Sequence, residues 1–298
     1  MSSILRQATH AGSWYSARAS KLEKELDSFL MSAADKKEDE HIVALISPHA
    51  GYSYSGRTAA FVYKRIATNS IKRVFLLGPS HHHYSETCML STASGYQSPF
   101  GNIQLDLEVI GELKSSGLFK MMSLEIDEAE HSLEMCSTFL AHVMRDVNFK
   151  LIPIMVGGTS FETEKAFGEI LSPYFDDPET LFVISSDFCH WGRRFGYTYH
   201  NKTWGTPHES IRELDRLGME AVSSLDPLRF REYLREYKNT ICGRHPIGIL
   251  LQILKFSKHS YKVEWADYRN SEAVQSSADS SVSYAAGIVS IDRIGSAS

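Results

Sequence analysis

The stretch "SSDFCHWG" at residues 185–192 sets a carboxylate, a thiol, an imidazole and an indole directly after the apolar run "LFVI". Asp187 could cap a following helix, and Cys189 with Trp191 could be packing; the sharper alternative is one wall of a metal or catalytic site. Two other apolar runs end in a similar way. After residues 41–47 comes "PHAGYSYSG", with His49 two residues past Ser47, and after 73–78 comes "PSHHHYSE", with His81, His82 and His83. A fourth cluster, "TICGRHPIG" at 240–248, holds Cys242 and His245. Neutral imidazoles and one anionic group on separate loops can converge on a single cation, leaving coordination positions open. Cys242 could supply the anion, because a metal-bound thiol is deprotonated. Asp187 could supply it instead, or could orient His190 from behind.

Each residue has a plainer reading. Gly51 and Gly56 beside His49 let backbone approach a ligand closely, whereas His82 and His83 read as a polar loop. Cys88, Cys136 and Cys189 read as packing, and Cys242 alone would be a packing thiol too. His131, in "DEAEHSLEM", stands at a helix start, where charge and capping explain it as well as catalysis does. His10 reads as a polar group near an edge, with Trp14 and Tyr15 available to roof a pocket. A Cys242–His245 nucleophile pair is set aside, since three residues on a loop entering a helix do not aim one at the other. The chain has no G-x-S-x-G elbow, Walker loop, G-x-G-x-x-G or C-x-x-C.

Such residues need a rigid frame. Short buried-strand patterns predict strands at 41–47, 73–78, 150–157, 181–186, 261–268 and 282–291, the continuous β-branched and aliphatic run at 41–47 suiting a strand covered on both faces. Between them, helical spacing predicts helices over 20–30, with a Ser20–Glu23 capping box, and over 57–67, with Ala59, Val62, Tyr63 and Ile66 on one side. Further helices are expected around 132–145, 161–172, 209–222, 228–237 and 246–256, the last with Pro246 in its first turn. The alternation predicts one α/β domain with a mostly parallel or mixed sheet and helices on both faces. Ligands in such sheets bind beyond the carboxyl ends of the strands, where these histidines fall.

Bulk properties narrow the partners. The 298 residues are 43% hydrophobic and 22% charged, with a formal net charge of −5, which argues against a nucleic-acid footprint. The mixed cluster "DKKEDE" at 35–40 reads as a solvated loop. There is no run of about 18 apolar residues, so no membrane insertion is expected. The start lacks the apolar stretch of a secretory signal, and four cysteines in a chain this long read as reduced thiols in the cytosol.

Seven motifs, "THAGSWY", "PHAGYSYSG", "LGPSHH", "DEAEHSLEM", "SSDFCHWG", "NTICGRHPIG" and "SSVSYAAG", occur in one order over about residues 8–291. In these the chain resembles the Memo family, mediators of receptor-tyrosine-kinase-driven cell motility. The resemblance implies a single domain over 1–298 with a fold like the catalytic subunit of class III extradiol dioxygenases, non-haem iron enzymes. There two His and one Glu hold the iron and a further His is the acid/base. By position His49 and His81 stand for the two His ligands, Cys242 for the Glu and His190 for the acid/base, with Asp187 flanking. The resemblance implies copper or iron, and the thiolate admits zinc. It also implies a pocket bordered by Trp14, Tyr54 and Arg194 that accepts phosphotyrosine-type peptides; Arg193 and Arg194 would either bind the phosphate or face solvent. Implied partners are phosphotyrosine receptor tails or their adaptors, and Rho-type GTPase and cytoskeletal regulators, with a link to reactive oxygen control. The expected location is the cytoplasm, with the nucleus as a second compartment. Three functions stand as expectations: a metal-binding signalling protein, a non-haem oxygenase or redox enzyme on small aromatic substrates, and a metal-free phosphotyrosine-binding module. The Glu-to-Cys exchange leaves turnover open.

Overall fold

A computed structural model describes residues 4–35, 40–276 and 278–292; most of the 35–40 charge cluster lies outside the described residues. The strands are β1 (Leu5–Arg6), β2 (Ile42–Ser47), β3 (Arg73–Pro79), β4 (Cys88–Ser91), β5 (Gly95–Ser98), β6 (Gly101–Gln104), β7 (Lys120–Met122), β8 (Lys150–Val156), β9 (Thr180–Ser185), β10 (His190–Trp191), β11 (Tyr261–Asn270) and β12 (Ser281–Ile291). The helices are α1 (Ala19–Ser32), α2 (Tyr52–Tyr63), α3 (Leu107–Ser115), α4 (Leu124–Ala129), α5 (His131–Val143), α6 (Phe161–Phe175), α7 (Pro207–Ser223), α8 (Pro227–Tyr237) and α9 (Arg244–Phe256).

The main sheet runs β10-β12-β2-β9-β3-β8-β4-β7, with β11 added on β12. Its centre, β2-β9-β3-β8, is parallel, and β12 and β4 run antiparallel to their neighbours in it. The expected mixed sheet is therefore present. Its central strands are buried along almost their whole length, as continuous apolar runs require when helices cover both faces. Helices α1, α2 and α5 pack together as one layer, and α6 packs on α9, with α8 beyond it, as the other. Strands β1, β5 and β6 form a small separate sheet.

Some boundaries differ from the sequence reading. Helix α2 begins at Tyr52 rather than Arg57, so "YSYSG" is its first turn and not a loop. The Ser20–Glu23 capping box does not form: α1 starts at Ala19 behind Arg18, with no side-chain cap. Residues 88–129 fold into β4 to β7, α3 and α4, none of which carries a long periodic signal. Among the described residues no helix is long and apolar enough to cross a membrane.

Because β2, β9 and β3 are parallel neighbours, their carboxyl ends emerge side by side at one edge of the sheet. That edge carries His49, Asp187 and His81 on adjacent exits. The packing of α6 on α9 behind it is tight at Gly168, where an added Cβ would lie 2.4 Å from Gln252 Cβ and 2.8 Å from its backbone carbon. Alanine is the better helix former by about 0.8–1.0 kcal/mol, but overpacking against backbone costs about 1–3 kcal/mol, so packing wins. Gly168→Ala is expected to lower the midpoint of denaturant unfolding with an unchanged slope; an equal or higher midpoint would contradict this account.

Candidate metal centre

Strand β9 ends at Ser185 and is followed by Ser186, two small residues that leave space above its exit for side chains arriving from either side. His49 enters from β2, and His81 from β3. Cys242 comes from the loop before α9. That loop rests on the end of β9 because residue 243 is glycine: a Cβ there would lie 2.3 Å from Ser186 Cβ and 2.6 Å from the Ser185 carbonyl oxygen. One ligand atom each from His49, His81 and Cys242 fall within 4.8 Å of one another. Cys242 Sγ lies 3.2 Å from His49 Nε2.

Each donor is held from behind. The Ser185 hydroxyl donates to the Ser132 carbonyl at 2.8 Å, so at 2.6 Å from His49 Nδ1 it accepts the ring N–H. This leaves the Nε2 lone pair toward Cys242. His81 donates through Nδ1 to Glu130 Oε1 at 2.7 Å and through its backbone N–H to Oε2 at 2.6 Å. Glu130 also caps α5 by accepting from the Ser132 N–H. Cys242 Sγ accepts the Asp187 N–H at 3.2 Å. The carboxylate–histidine arrangement is how metal ligands are commonly oriented. Bonds of about 2.0–2.1 Å to nitrogen and 2.3 Å to sulfur put tetrahedral donors roughly 3.5 Å apart, so the set fits one ion. A second grouping, His81 with Glu130 and His131, also lies within reach of a common point. Both Glu130 oxygens already receive N–H groups there, so it supports the first set rather than forming a separate one.

Electrostatics agree with this division. Burial, with His81, His131 and His190 nearby, holds His49 well below its usual pKa, so it is neutral as a ligand must be. Burial, with Asp187 beside it, pushes the Cys242 thiol well up; a cation would reverse that. Burial would raise Glu130, but the bonds and charge of His81 and the charge of His131 outweigh it, and its carboxyl titrates at about 2.

Asp187 does not cap a helix, since the backbone after it runs into β10. Nor does it bond the His190 ring: it accepts the His49 backbone N–H at 2.9 Å, and burial raises its pKa. The His190 ring is fixed instead by backbone carbonyls, Nδ1 donating to that of Phe188 at 2.9 Å with that of Thr240 at 3.2 Å, and the backbone N–H of His190 donates to Thr240 Oγ1 at 2.8 Å. Cys189 and Trp191 are buried packing residues. His245 pairs with Glu164 at 2.8 Å, away from Cys242.

Above the donors lies a cavity of about 650 Å³ bordered by Trp14, Tyr54, His131, His190, Arg194 and Tyr284, among others. Trp14, Tyr54 and Arg194, the residues expected to border a peptide pocket, are among those lining it. Tyr15 does not roof it; it is buried, its hydroxyl donating to Glu134 at 2.6 Å. His131 borders the cavity, stacked between Trp14 and His81 with 4.3 Å to each ring centre. Burial first, then His81, lowers its pKa to about 3. No pattern in the sequence pairs Ser185 with His49 or Glu130 with His81; the nearest signal is the density of acids in "DEAEHSLEM".

The same motif anchors the N-terminal segment that carries Trp14. Arg6 is fully buried and bonds Glu134, Asp127 and the carbonyls of Asp127 and Glu130. Glu134 also receives the His10 N–H at 2.9 Å and the Tyr15 hydroxyl. Burial would raise Glu134, but bonding from His10 and the charge of Arg6 prevail, and its carboxyl sits at about 2.

The chain matches the Memo-like protein family over residues 6–288. It is 46% identical to Protein MEMO1 of Xenopus laevis, over 96% of this chain and 97% of that one. It is 42% identical to Protein MEMO1 of Homo sapiens, over 97% of this chain and 98% of that one. Identity to the Protein memo-1 homolog of Caenorhabditis elegans is 40%, over 95% of this chain and 82% of that one.

Two outcomes follow from the buried charges. Arg6→Met is expected to cost about 3–5 kcal/mol in equilibrium unfolding, because it strands two buried carboxylates; a loss under 1 kcal/mol would show them relaxed to solvent. The folded Glu134 pKa lies below its unfolded value, so its contribution is full above about pH 5 and drains as pH falls toward 2. The Glu134→Gln protein, although less stable at neutral pH, should show a shallower acid limb; an identical limb would place the titration elsewhere.

Proposed function

This chain belongs to the Memo-like protein family, and from that premise we propose that it is a metal-binding signalling protein. In this reading His49, His81 and Cys242 hold one copper or iron ion, with zinc the further candidate, on a dioxygenase-like scaffold. The cavity above receives a phosphotyrosine-bearing segment of a receptor tail or its adaptor. The signal passes to Rho-type GTPase and cytoskeletal regulators in the cytoplasm, and in the nucleus as a second compartment. The observation that carries the metal reading is three donor atoms within 4.8 Å of one another, the two rings having their other nitrogens tied off by Ser185 and Glu130. Arg194 on the cavity wall supports an anionic ligand, since guanidinium binds phosphate through charge-assisted bonds.

The donor set decides the kind of chemistry. Bound copper or iron supplies one-electron chemistry, consistent with a role in reactive oxygen control. A thiolate in place of a carboxylate favours softer, lower-valent ions. A second reading, turnover of a small aromatic substrate, draws on His190. Its Nδ1–H is spent on a carbonyl, so Nε2 is the nitrogen left to take or give a proton in the cavity.

Elemental analysis of protein purified without chelator tests the centre. Wild type is expected to carry about one ion per chain and Cys242→Ser close to none. Ser185→Ala, which unties the His49 ring and drops the bond to the Ser132 carbonyl while leaving all three donors in place, should weaken metal affinity by about 10–100-fold. Equal metal content in wild type and Cys242→Ser would remove Cys242 from the ligand set.

A further inference from the structure

Four imidazoles border or underlie the cavity, and three of them have a ring nitrogen tied to the protein. His49 uses Ser185, His81 uses Glu130, and His190 uses the Phe188 carbonyl. His131 differs. It is only 8% exposed, yet its Nδ1 is buried with no hydrogen-bond partner among the described residues. The Glu130 carboxylate lies 3.5 Å from that nitrogen, beyond a good bond. Nε2 makes no hydrogen bond among the described residues either, and the ring borders the cavity.

An unpaired buried polar ring costs stability, and here its plane is also held. Trp14 and His81 stack on its two faces with interplanar angles of 29° and 24°, and His49 meets it edge-on at 5.4 Å. The proximity of the Glu130 carboxylate favours an N–H at Nδ1 over a lone pair, which leaves the lone pair on Nε2. A group clamped in plane, buried and left with an open acceptor suits a partner that the chain does not supply.

We propose that His131 is the ligand-recognising group of this cavity: its Nε2 accepts a hydrogen bond from a hydroxyl or N–H on a ring-bearing small ligand. Trp14, Tyr54 and Phe195, which border the same cavity, give the ring aromatic surface to lie against. The proposal rests on the reading that the cavity admits a ligand, and not on which metal lies beneath.

The test uses the full chain, with metal content measured on every sample. Phenol, the simplest ring with one donor, is titrated into wild type and His131→Phe, with anisole as the matched ring lacking the donor. Histidine ring ¹⁵N resonances are followed throughout. Wild type should bind phenol about 3–10-fold more tightly than anisole, the net worth of one hydrogen bond, with a shift at His131 Nε2. His131→Phe keeps a ring in the stack and should lose that preference while holding its metal. Failure of wild type to bind phenol, equal binding of phenol and anisole, or a preference that survives in His131→Phe overturns the proposal. Should the variant not fold, the wild-type spectrum decides, because a protonated Nε2 in the free protein also overturns it. Phenol preference in wild type that is found to carry no metal would support His131, and the missing metal would count against the metal centre alone.

Discussion

The parallel pairing of β2, β9 and β3 is the constraint on which the site depends. Strands in a sheet lie about 4.8 Å apart, so the exits of β2 and β3 stand roughly 10 Å from each other across β9. An imidazole reaches inward from each side only if the middle exit is low. Ser185 and Ser186 make it low, and the Ser185 hydroxyl then becomes the anchor of the His49 ring. Gly243 completes the approach, allowing the Cys242 loop to rest on the same strand end. Backbone pairing thus sets a distance that small side chains turn into space, and hydrogen bonds set the direction of each donor within it.

Much of this frame was readable because buried parallel strands must be apolar along their length. The runs at 41–47, 73–78, 150–157 and 181–186 all became strands of the central sheet, and the rule that chemistry collects beyond their carboxyl ends pointed to His49, His81 and Asp187. What stayed hidden had weak local signals. Strands of two to four residues, such as β1 and β4 to β7, carry no usable period. Helix α2 was placed five residues late because Tyr and Ser in "YSYSG" look like loop composition; the Trp14 carbonyl accepts the Tyr52 N–H at its first turn, a tertiary contact no window can show.

Spacing alone did not choose between Asp187 and Cys242 as the candidate anionic donor; the expectation of Cys242 came from the family pattern. The geometry gives a physical reason for the division. Asp187 is already committed, its carboxylate holding the His49 turn and its N–H holding Cys242 Sγ. Moving it into the candidate ligand set would undo the loop that positions Cys242. The charge of His190 acts on Asp187 through space, while the His190 ring itself is steered by carbonyls.

Two carboxylates one helical turn apart, Glu130 at the N-cap of α5 and Glu134 in its first turn, serve different parts of the site. Glu130 orients His81 from below, and Glu134 ties Arg6, His10 and Tyr15 into the helix that begins with His131. Trp14 lies on that tied segment, and it is the outer slice of the stack that continues through His131 to His81. Displacing the N-terminal segment would therefore uncover His131 and loosen the ring that covers one of the donors. A buried ion lattice is a weak source of net stability, but here it joins the wall of the cavity to the floor. Its position explains why a chain would keep Arg6, Asp127 and Glu134 buried together rather than replace them with apolar residues of similar volume.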